Sequence, residues 1–404
     1  RRQRQMCIRD RGKFDLYSLF LERSMGLARK YVGFIVPNRL SASALGAELR
    51  RAIIDWSRLI RIWNLTSQNV FKGVSNYPIV IILQKRDVLE EKEEKALLIM
   101  ESASHSVYLA LREEMLRALP LYVFPILCTS REFGMLVKML QKKLRNEFDN
   151  LPSIHEGFRG GIERPFKYSD RLIPILQQYN FESRYGRIFF EKSINKNEAC
   201  SIAGDGARSC VVRNVYVVVI KEDGLRVTAT ILRGPVFPKG GVYFLTTSSR
   251  ESGLALLAIM NSKIFTWIYS LLFSGMHMRG GWLRFRTEFL TAVPIPHIDR
   301  VPSKLVALAN KIIQLRKVAD ILKSYIGEDD KKGVPYSTLE VLQILQQHEK
   351  WVDGASEDYK KELAKIILQE LEKEIAKLDN EIDQIVYRLY GVNKSEIKII
   401  EGKT

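Results

Sequence analysis

Cysteine and histidine are scarce, with four of the first (Cys7, Cys128, Cys200, Cys210) and five of the second in 404 residues. The cysteines show no C-x-x-C spacing, which argues against a thiolate metal site, a redox pair or a disulfide framework; reduced thiols in a cytoplasm are the default expectation. His105, His155, His277, His297 and His348 carry no metal-ligand spacing, and neither H-E-x-x-H nor G-x-S-x-G occurs. No secretory leader is visible. A long uninterrupted apolar run is missing too. Leu254 to Phe273 comes nearest, but Asn261, Ser262 and Lys263 break its centre, which predicts a buried helix or a helix pair broken at that turn.

Acidic residues are outnumbered, 46 Asp and Glu against 63 Lys and Arg, for a formal net charge of +17. Residues 1–11 hold five of the arginines and one Asp, and between Leu151 and Arg300 there are 20 basic against 12 acidic side chains. A basic centre between more balanced flanks reads as a footprint for nucleic acid, although the same balance also serves solubility. The sharpest local signal is Phe273 to Arg286, FSGMHMRGGWLRFR, which leads into Pro294-Ile295-Pro296. It has no acidic residue. Arg279, Arg284 and Arg286 suit phosphates or guanine edges, the glycines permit close backbone approach, and Trp282 and Phe285 offer stacking faces. The blander alternative is a basic surface loop with a buried aromatic.

Three places put a cation before paired glycines: Arg159-Gly160-Gly161, Lys239-Gly240-Gly241 and Arg279-Gly280-Gly281. Such loops bring backbone amides and a cation to a phosphate together. Each alone also fits an ordinary hairpin turn. His155 and His277 sit beside two of them.

Along the chain, 46% apolar content allows two or three domains with real cores. Residues 14–29 read as an amphipathic helix with Leu16, Phe20, Met25 and Leu27 on or near one face. Val32 to Val36 reads as a strand stopped by Pro37, 43–55 as a helix, Leu59 to Leu65 as a strand, and Tyr77 to Leu83 as a strand buried on both faces. Alternating helix and apolar strand implies an α/β layer with a largely parallel sheet. Residues 87–150 are charged and read as a helical connector. From 151 to 300 the usage shifts to β-branched, aromatic and glycine-rich, with strands at Val211 to Ile220 and Val227 to Leu232 around a Glu222-Asp223-Gly224 turn. Residues 301–404 form a helical tail. Leu371, Ile375, Leu378, Ile382, Ile385 and Leu389 keep the 4-3-4-3-4 spacing of a coiled-coil or helical-hairpin seam, and Gly391 ends that helix.

Several of these segments, in order, resemble adenine-specific (N6) DNA methyltransferases of the TaqI/Eco57I type. Phe273 to Arg286, preceded by Asn261-Ser262-Lys263 and closed by Pro294-Ile295-Pro296, is similar to the specificity region of that group. Asp15-Leu16-Tyr17 with Leu19 to Arg23, then Gly33-Phe34-Ile35-Val36-Pro37-Asn38, look like the helix after the catalytic loop and the next strand with its exit. Asn69-Val70-Phe71 followed by Tyr77 to Leu83 looks like the late strand-turn-strand of the catalytic domain. The resemblance implies S-adenosylmethionine as methyl donor for the whole enzyme, double-stranded DNA as partner, a flipped adenine, and Phe71 as the aromatic face on which it stacks. It also implies DNA contacts for Arg159, Lys239, Lys263, His277, Arg279, Trp282, Arg284 and Arg286.

The chain departs from the family where activity is decided. The glycine-containing cofactor loop is missing, and no Pro-Pro pair exists from which an Asn/Asp-Pro-Pro-Tyr/Phe loop could be built. Gly204-Asp205-Gly206 is a lone glycine pair in the wrong half. Gln5 to Arg11 looks like the in-frame translation of a transposase adapter used in sequencing libraries, so residues 1–11 are set aside.

The resulting expectation is a truncated Rossmann-like methyltransferase sheet over 12–86, a helical connector over 87–150, a mixed α+β target-recognition domain over 151–300 and a helical tail. Such a chain would recognise DNA without binding the methyl donor, as part of a restriction-modification-type enzyme that carries a catalytic or nuclease portion upstream. The alternatives are a stand-alone, non-catalytic DNA-specificity protein and a nonspecific basic binder.

Overall fold

The computed structural model describes residues 15–65, 77–86, 97–102, 109–126, 128–167, 169–181, 183–204, 213, 215–273, 275, 282–327 and 336–402. Helix α1 (Leu16–Leu27), β1 (Tyr31–Pro37), α2 (Ala47–Trp56), β2 (Ser57–Asn64), β3 (Pro78–Lys85), β4 (Leu97–Ser102) and β5 (Leu109–Arg112) build the first layer. Its five strands lie in the order β1-β3-β2-β4-β5. Strand β3 is antiparallel to both β1 and β2, β2 is parallel to β4, and β4 is antiparallel to β5. The expected largely parallel sheet is thus corrected to a mixed one. A continuous apolar run such as Ile79–Leu83 does not encode direction, and β3 returns between two strands that share a direction. The expected burial on both faces is corrected as well: Ile79, Ile81 and Leu83 are buried, whereas Val80 and Ile82 on the other face are half-buried. Three strands, β4, β5 and β6 (Phe148–Asn150), also arise inside the segment expected to be a helical connector.

Helix α1 buries Leu21 and Met25, whereas Leu16, Phe20 and Leu27 face outward. This corrects the expected apolar face. On β1, Val32 and Val36 enter the core while Tyr31 and Ile35, on the alternate positions, are exposed. Arg50 is fully buried under α2, where its guanidinium donates to the carbonyls of Leu40 (2.9 Å), Leu121 (2.7 Å) and Tyr122 (3.1 Å). Burial pushes its pKa down to about 9, and the carbonyls bind the sheet layer to the chain that follows.

The connector holds α3 (Glu113–Ala118) and α4 (Ser130–Leu144), the latter opened by a capping box between Thr129 and Glu132. Strand β6 (Phe148–Asn150) then pairs with β17 (Pro294–Pro296), which brings both ends of the central region together.

That region contains two four-stranded sheets. One has the order β13 (Ala229–Arg233), β11 (Tyr216–Lys221), β15 (Val242–Thr247), β7 (His155–Glu156), all antiparallel. The other has β14 (Phe237–Pro238), β9 (Leu172–Leu176), β10 (Lys192–Asn195) and β8 (Arg164–Pro165), with α5 (Lys196–Ala203) following β10. Alternation on β11 explains the layering. Val217 and Val219 pack with Phe158, Phe237 and Phe244 toward the second sheet, whereas Val218 and Ile220 join the main core under the helices.

Those helices are α6 (Arg250–Asn261) and α7 (Lys263–Leu272), bent by 59° at Ser262, whose hydroxyl accepts from the amide of Phe265 and caps α7. This is the broken pair that the Asn-Ser-Lys triplet predicts, and every residue from Gly253 to Asn261 is buried. Among the described residues no single helix is long and apolar enough to cross a membrane.

After the short β16 (Leu283–Arg284), α8 (Thr287–Leu290) and β17, the tail folds as α9 (Ser303–Ile326), α10 (Thr338–Gln346), α11 (Glu357–Tyr390) and α12 (Lys394–Ile400). Helices α9 and α11 form an antiparallel hairpin, with Lys311 on Glu374 (2.8 Å) and Arg316 on Glu372 (2.7 Å). The seam predicted from spacing buries Ile375, Leu378, Ile382 and Ile385. Gly391 ends α11 at φ +68°, where a side chain would be strained.

Candidate nucleic-acid interface

The first two cation-glycine loops become neighbours through the sheets that carry them. Phe158 bridges to Lys239, and its amide donates to the carbonyl of Pro238 at 2.8 Å. Gly157 lies so close to Lys239 that a Cβ there would sit 2.4 Å from the Lys239 carbonyl oxygen. Only glycine permits that approach. Beyond it, Gly160 and Gly161 turn with φ near +87° and +86°. The loop leaves Arg159 in solvent, with 87% of its side chain exposed and one weak pairing to Glu156 at 3.4 Å.

Lys239 is less free. The Glu163 carboxylate holds both Lys239 and Lys192, the second at 2.5 Å, and the two ammonium groups depress the Glu163 pKa. Neither Lys192 nor Glu163 stands out in the sequence; β8 and β10 pair across 28 residues, a register that local patterning does not encode.

Arg279-Gly280-Gly281 lies outside the described residues, but the chain that follows it, from Trp282 to Arg286, joins the same edge. The carbonyl of Gly241 accepts from the amide of Glu222, and the carbonyl of Glu222 accepts from the amide of Phe285 at 2.7 Å. The Glu222 carboxylate binds Arg284 through Nε (3.0 Å) and a terminal nitrogen (2.9 Å), while β12 (Asp223–Gly224) pairs with β16. Three stretches far apart in sequence are therefore stitched side by side, with Arg159, Lys239 and Arg284 along them.

The remaining expected positions separate. Lys263 faces the tail: its amide donates to Asp383 (2.9 Å), and its ammonium lies 3.3 Å from both Asp383 and Glu401. Arg286 stands at the N-cap position of α8 without a side-chain capping bond, its Nε buried and without a hydrogen-bond partner among the described residues. Phe285 is fully buried, 5.1 Å from the Tyr269 ring, so the stacking face expected of it is corrected to a core contact. Trp282 remains 45% exposed. Its ring stands at the rim of a cleft of about 390 Å³ whose wall includes Arg184, Arg226 and Arg316. Phe71, His277 and Arg279 lie outside the described residues, as do residues 1–11.

Chemically, the edge offers cations of graded availability. Arg159 is open, Arg284 is half exposed and shared with Glu222, and Lys239 is engaged by Glu163. Exposed guanidinium groups beside glycine-rich backbone suit contact with phosphate oxygens. No group of three or more His, Cys, Asp or Glu able to hold a metal occurs among the described residues.

Comparison with known proteins bears on the start of the chain. Residues 3–71 match the family model of the Eco57I restriction-modification methylase. A curated relative, the type II restriction enzyme and methyltransferase RM.Eco57I of Escherichia coli, is 31% identical over 77 residues, which are 19% of this chain and 8% of that protein. Among solved structures, the chain is similar to the type IIL restriction-modification enzyme MmeI in complex with DNA, with 9% identity, a TM-score of 0.45, and coverage of 96% of this chain and 52% of that one. It is also similar to the type IIG restriction endonuclease BpuSI, at 12% identity and a TM-score of 0.27 over 95% of this chain and 50% of that one. The ATP-dependent type ISP enzyme LlaBIII bound to DNA aligns at 10% identity and a TM-score of 0.38, over 91% of this chain and 34% of that one. The chain spans about half the length of the first two of these structures.

Proposed function

We propose that this chain is the DNA-recognising portion of an adenine-N6 methyltransferase from a restriction-modification system. The observation that carries the reading is the convergence of the Arg159, Lys239 and Arg284 segments on one edge, in a region with 20 basic against 12 acidic residues. The match of residues 3–71 to a restriction-modification methylase supports the assignment to such a system.

In this reading residues 12–86 supply the last strands of the catalytic sheet, and 151–300 select the DNA word. An antiparallel strand inserted between two strands of shared direction supports that placement, as do the outward Tyr31 and Ile35 of β1 and Leu16, Phe20 and Leu27 of α1. Exposed apolar side chains of this kind favour cover by further protein. An upstream portion would bring the cofactor loop and the catalytic motif, so S-adenosylmethionine belongs to the parent enzyme and not to this chain. The 404-residue polypeptide would bind duplex DNA without methylating it.

The test is a gel-shift titration at several salt concentrations. Arg159→Ala should weaken binding to all duplexes alike and reduce the salt slope by about one unit, as removal of one phosphate contact does. Arg284→Ala and Arg286→Ala should also weaken binding. Titration curves unchanged in Arg159→Ala and Arg284→Ala would remove this edge from the interface. Steep salt loss with equal affinity for unrelated duplexes would favour nonspecific binding instead.

A further inference from the structure

Glu163 sits among cations on the edge that carries Arg159 and Lys239. The two oxygens of its carboxylate take different lysines: Lys192 donates to Oε2 at 2.5 Å and Lys239 to Oε1. A carboxylate thus stands between two ammonium groups. All three side chains keep contact with solvent, at 27%, 40% and 20% exposure for Glu163, Lys192 and Lys239. The bonds from Lys192 and then Lys239 hold the Glu163 carboxyl below the usual range, so it remains an acceptor at neutral pH. Each ammonium has N–H groups beyond the one given to Glu163, and each carboxylate oxygen has a further lone pair. Read across, the triad is donor, acceptor, donor.

A phosphate offers only acceptors, and the Glu163 carboxylate repels it. The major-groove edge of a base pair mixes both kinds. An A·T pair presents acceptor, donor, acceptor (N7, the adenine amino group, O4) with the thymine methyl beside the last; a G·C pair presents two acceptors and then a donor. The triad complements the first order. Against the second it sets its carboxylate on the guanine O6, which penalises that pair. The adjoining residue supplies an apolar contact. Gly161 lies against β10, where a Cβ would stand 2.5 Å from Ile194 Cδ1, and the Ile162 amide donates to the Glu198 carboxylate at 2.8 Å. The backbone so held leaves Ile162 64% exposed beside Glu163, a surface suited to a methyl group.

We propose that Glu163, Lys192 and Lys239 select an A·T pair through the major groove, with Ile162 against the thymine methyl, while Arg159 on the same loop grips the backbone. The inference rests on the DNA reading above and adds to it which residues set one position of the word.

Sequencing the duplexes that the full chain retains from a randomised pool gives the word, and gel-shift titration of single-pair variants of that word gives the preferences. Wild type should prefer A·T over G·C at one position by about tenfold or more, the discrimination expected of one well-matched base contact. Glu163→Gln should erase that preference through tighter retention of the G·C duplex, because an amide can turn its N–H toward guanine O6. The other positions should keep theirs. Ile162→Ala should remove any difference between thymine and deoxyuridine at the same position and nowhere else. Both variants should hold the wild-type Tm to within about 2 °C, as surface substitutions do. Loss in Glu163→Gln alone keeps the triad and removes Ile162 from the contact. The inference is overturned, with the DNA reading intact, if a word is found and Glu163→Gln keeps every preference, or if the preference it loses is for G·C. A chain that retains no duplex, or all sequences alike, removes the DNA-selecting reading and this inference together.

Discussion

Lys263 and Arg159 stand in the same basic stretch, each beside a backbone break, and read alike as cations available to a polyanion. The fold treats them in opposite ways. Lys263 starts α7 and is taken up by Asp383 and Glu401 on the tail, whereas Arg159 ends on a glycine turn with most of its side chain in water. Around Lys263, Arg184 is taken up similarly by Asp379 and by the Asn261 carbonyl at 2.7 Å. One region spends its charge on holding the central sheets to the helical hairpin; the other leaves it open. Net charge therefore says how many cations exist, and only the placement of carboxylates says which are free.

The sharpest way to test that division is within Trp282 to Arg286, where the two behaviours alternate. Phe285→Ala removes a fully buried ring packed on Tyr269 and should cost about 3–5 kcal/mol in denaturant unfolding. Trp282→Ala, on the exposed side, should stay within about 0.5 kcal/mol. Equal losses would mean that the whole segment is core. Next in size is the joint: Arg184→Ala strips Asp379 of its partner at a site where both side chains are at most one-fifth exposed, and about 3 kcal/mol should go. Arg159→Ala in the same assay should move stability by no more than about 0.5 kcal/mol, while its effect appears in DNA binding.

Glu163→Gln tests the open region from the other side. It frees Lys239 and Lys192 from the carboxylate that holds both. DNA retention should rise and its salt slope steepen by roughly one unit per cation that reaches a phosphate. A weaker complex would show instead that Glu163 positions these lysines for contact, and a null result would place them outside the interface.

Legibility in the sequence follows the same line. The helix break at Ser262 and the Ile375 to Ile385 seam could be read because local spacing encodes both: a polar triplet inside an apolar run, and a repeat matching the helical period. Some strand positions were legible too, as in the apolar run stopped by Pro37, whereas β4, β5, β9, β10 and β15 were not. Strand direction was not, and β3 reversed the expected sheet. The site divided similarly. The cation-glycine loops stood out, but the meeting of the first two depends on the Phe158–Lys239 bridge, and that of Arg284 with them on the Gly241–Glu222 bond. Lys263 was misleading because its carboxylate partners lie 120 and 138 residues away. Glu163 and Lys192 gave no local signal at all; only the fold joins them.

The smallest expected effect lies where the connector and the end of the central region meet. His297 follows β17, and its ring nitrogens lie 2.6 Å from the Asp149 carboxylate and 2.7 Å from the Asn146 carbonyl. The carbonyl and then the carboxylate raise its pKa above the ordinary histidine value, because both favour the protonated ring. For a group whose folded pKa is raised, the stabilisation is complete below the unfolded value of about 6.5 and is lost as pH rises through the folded one. Wild type should therefore lose a small part of its Tm between mildly acid and mildly alkaline pH, and His297→Gln should flatten that loss. Because the pair is solvent-screened, the shift should shrink further at high salt. This sets it apart from the Arg184–Asp379 joint, where burial protects the pair from screening and the Tm cost of Arg184→Ala should persist at the same salt. A wild-type curve as flat as the variant's would mean that β6 and β17 are held by their backbone pairing alone.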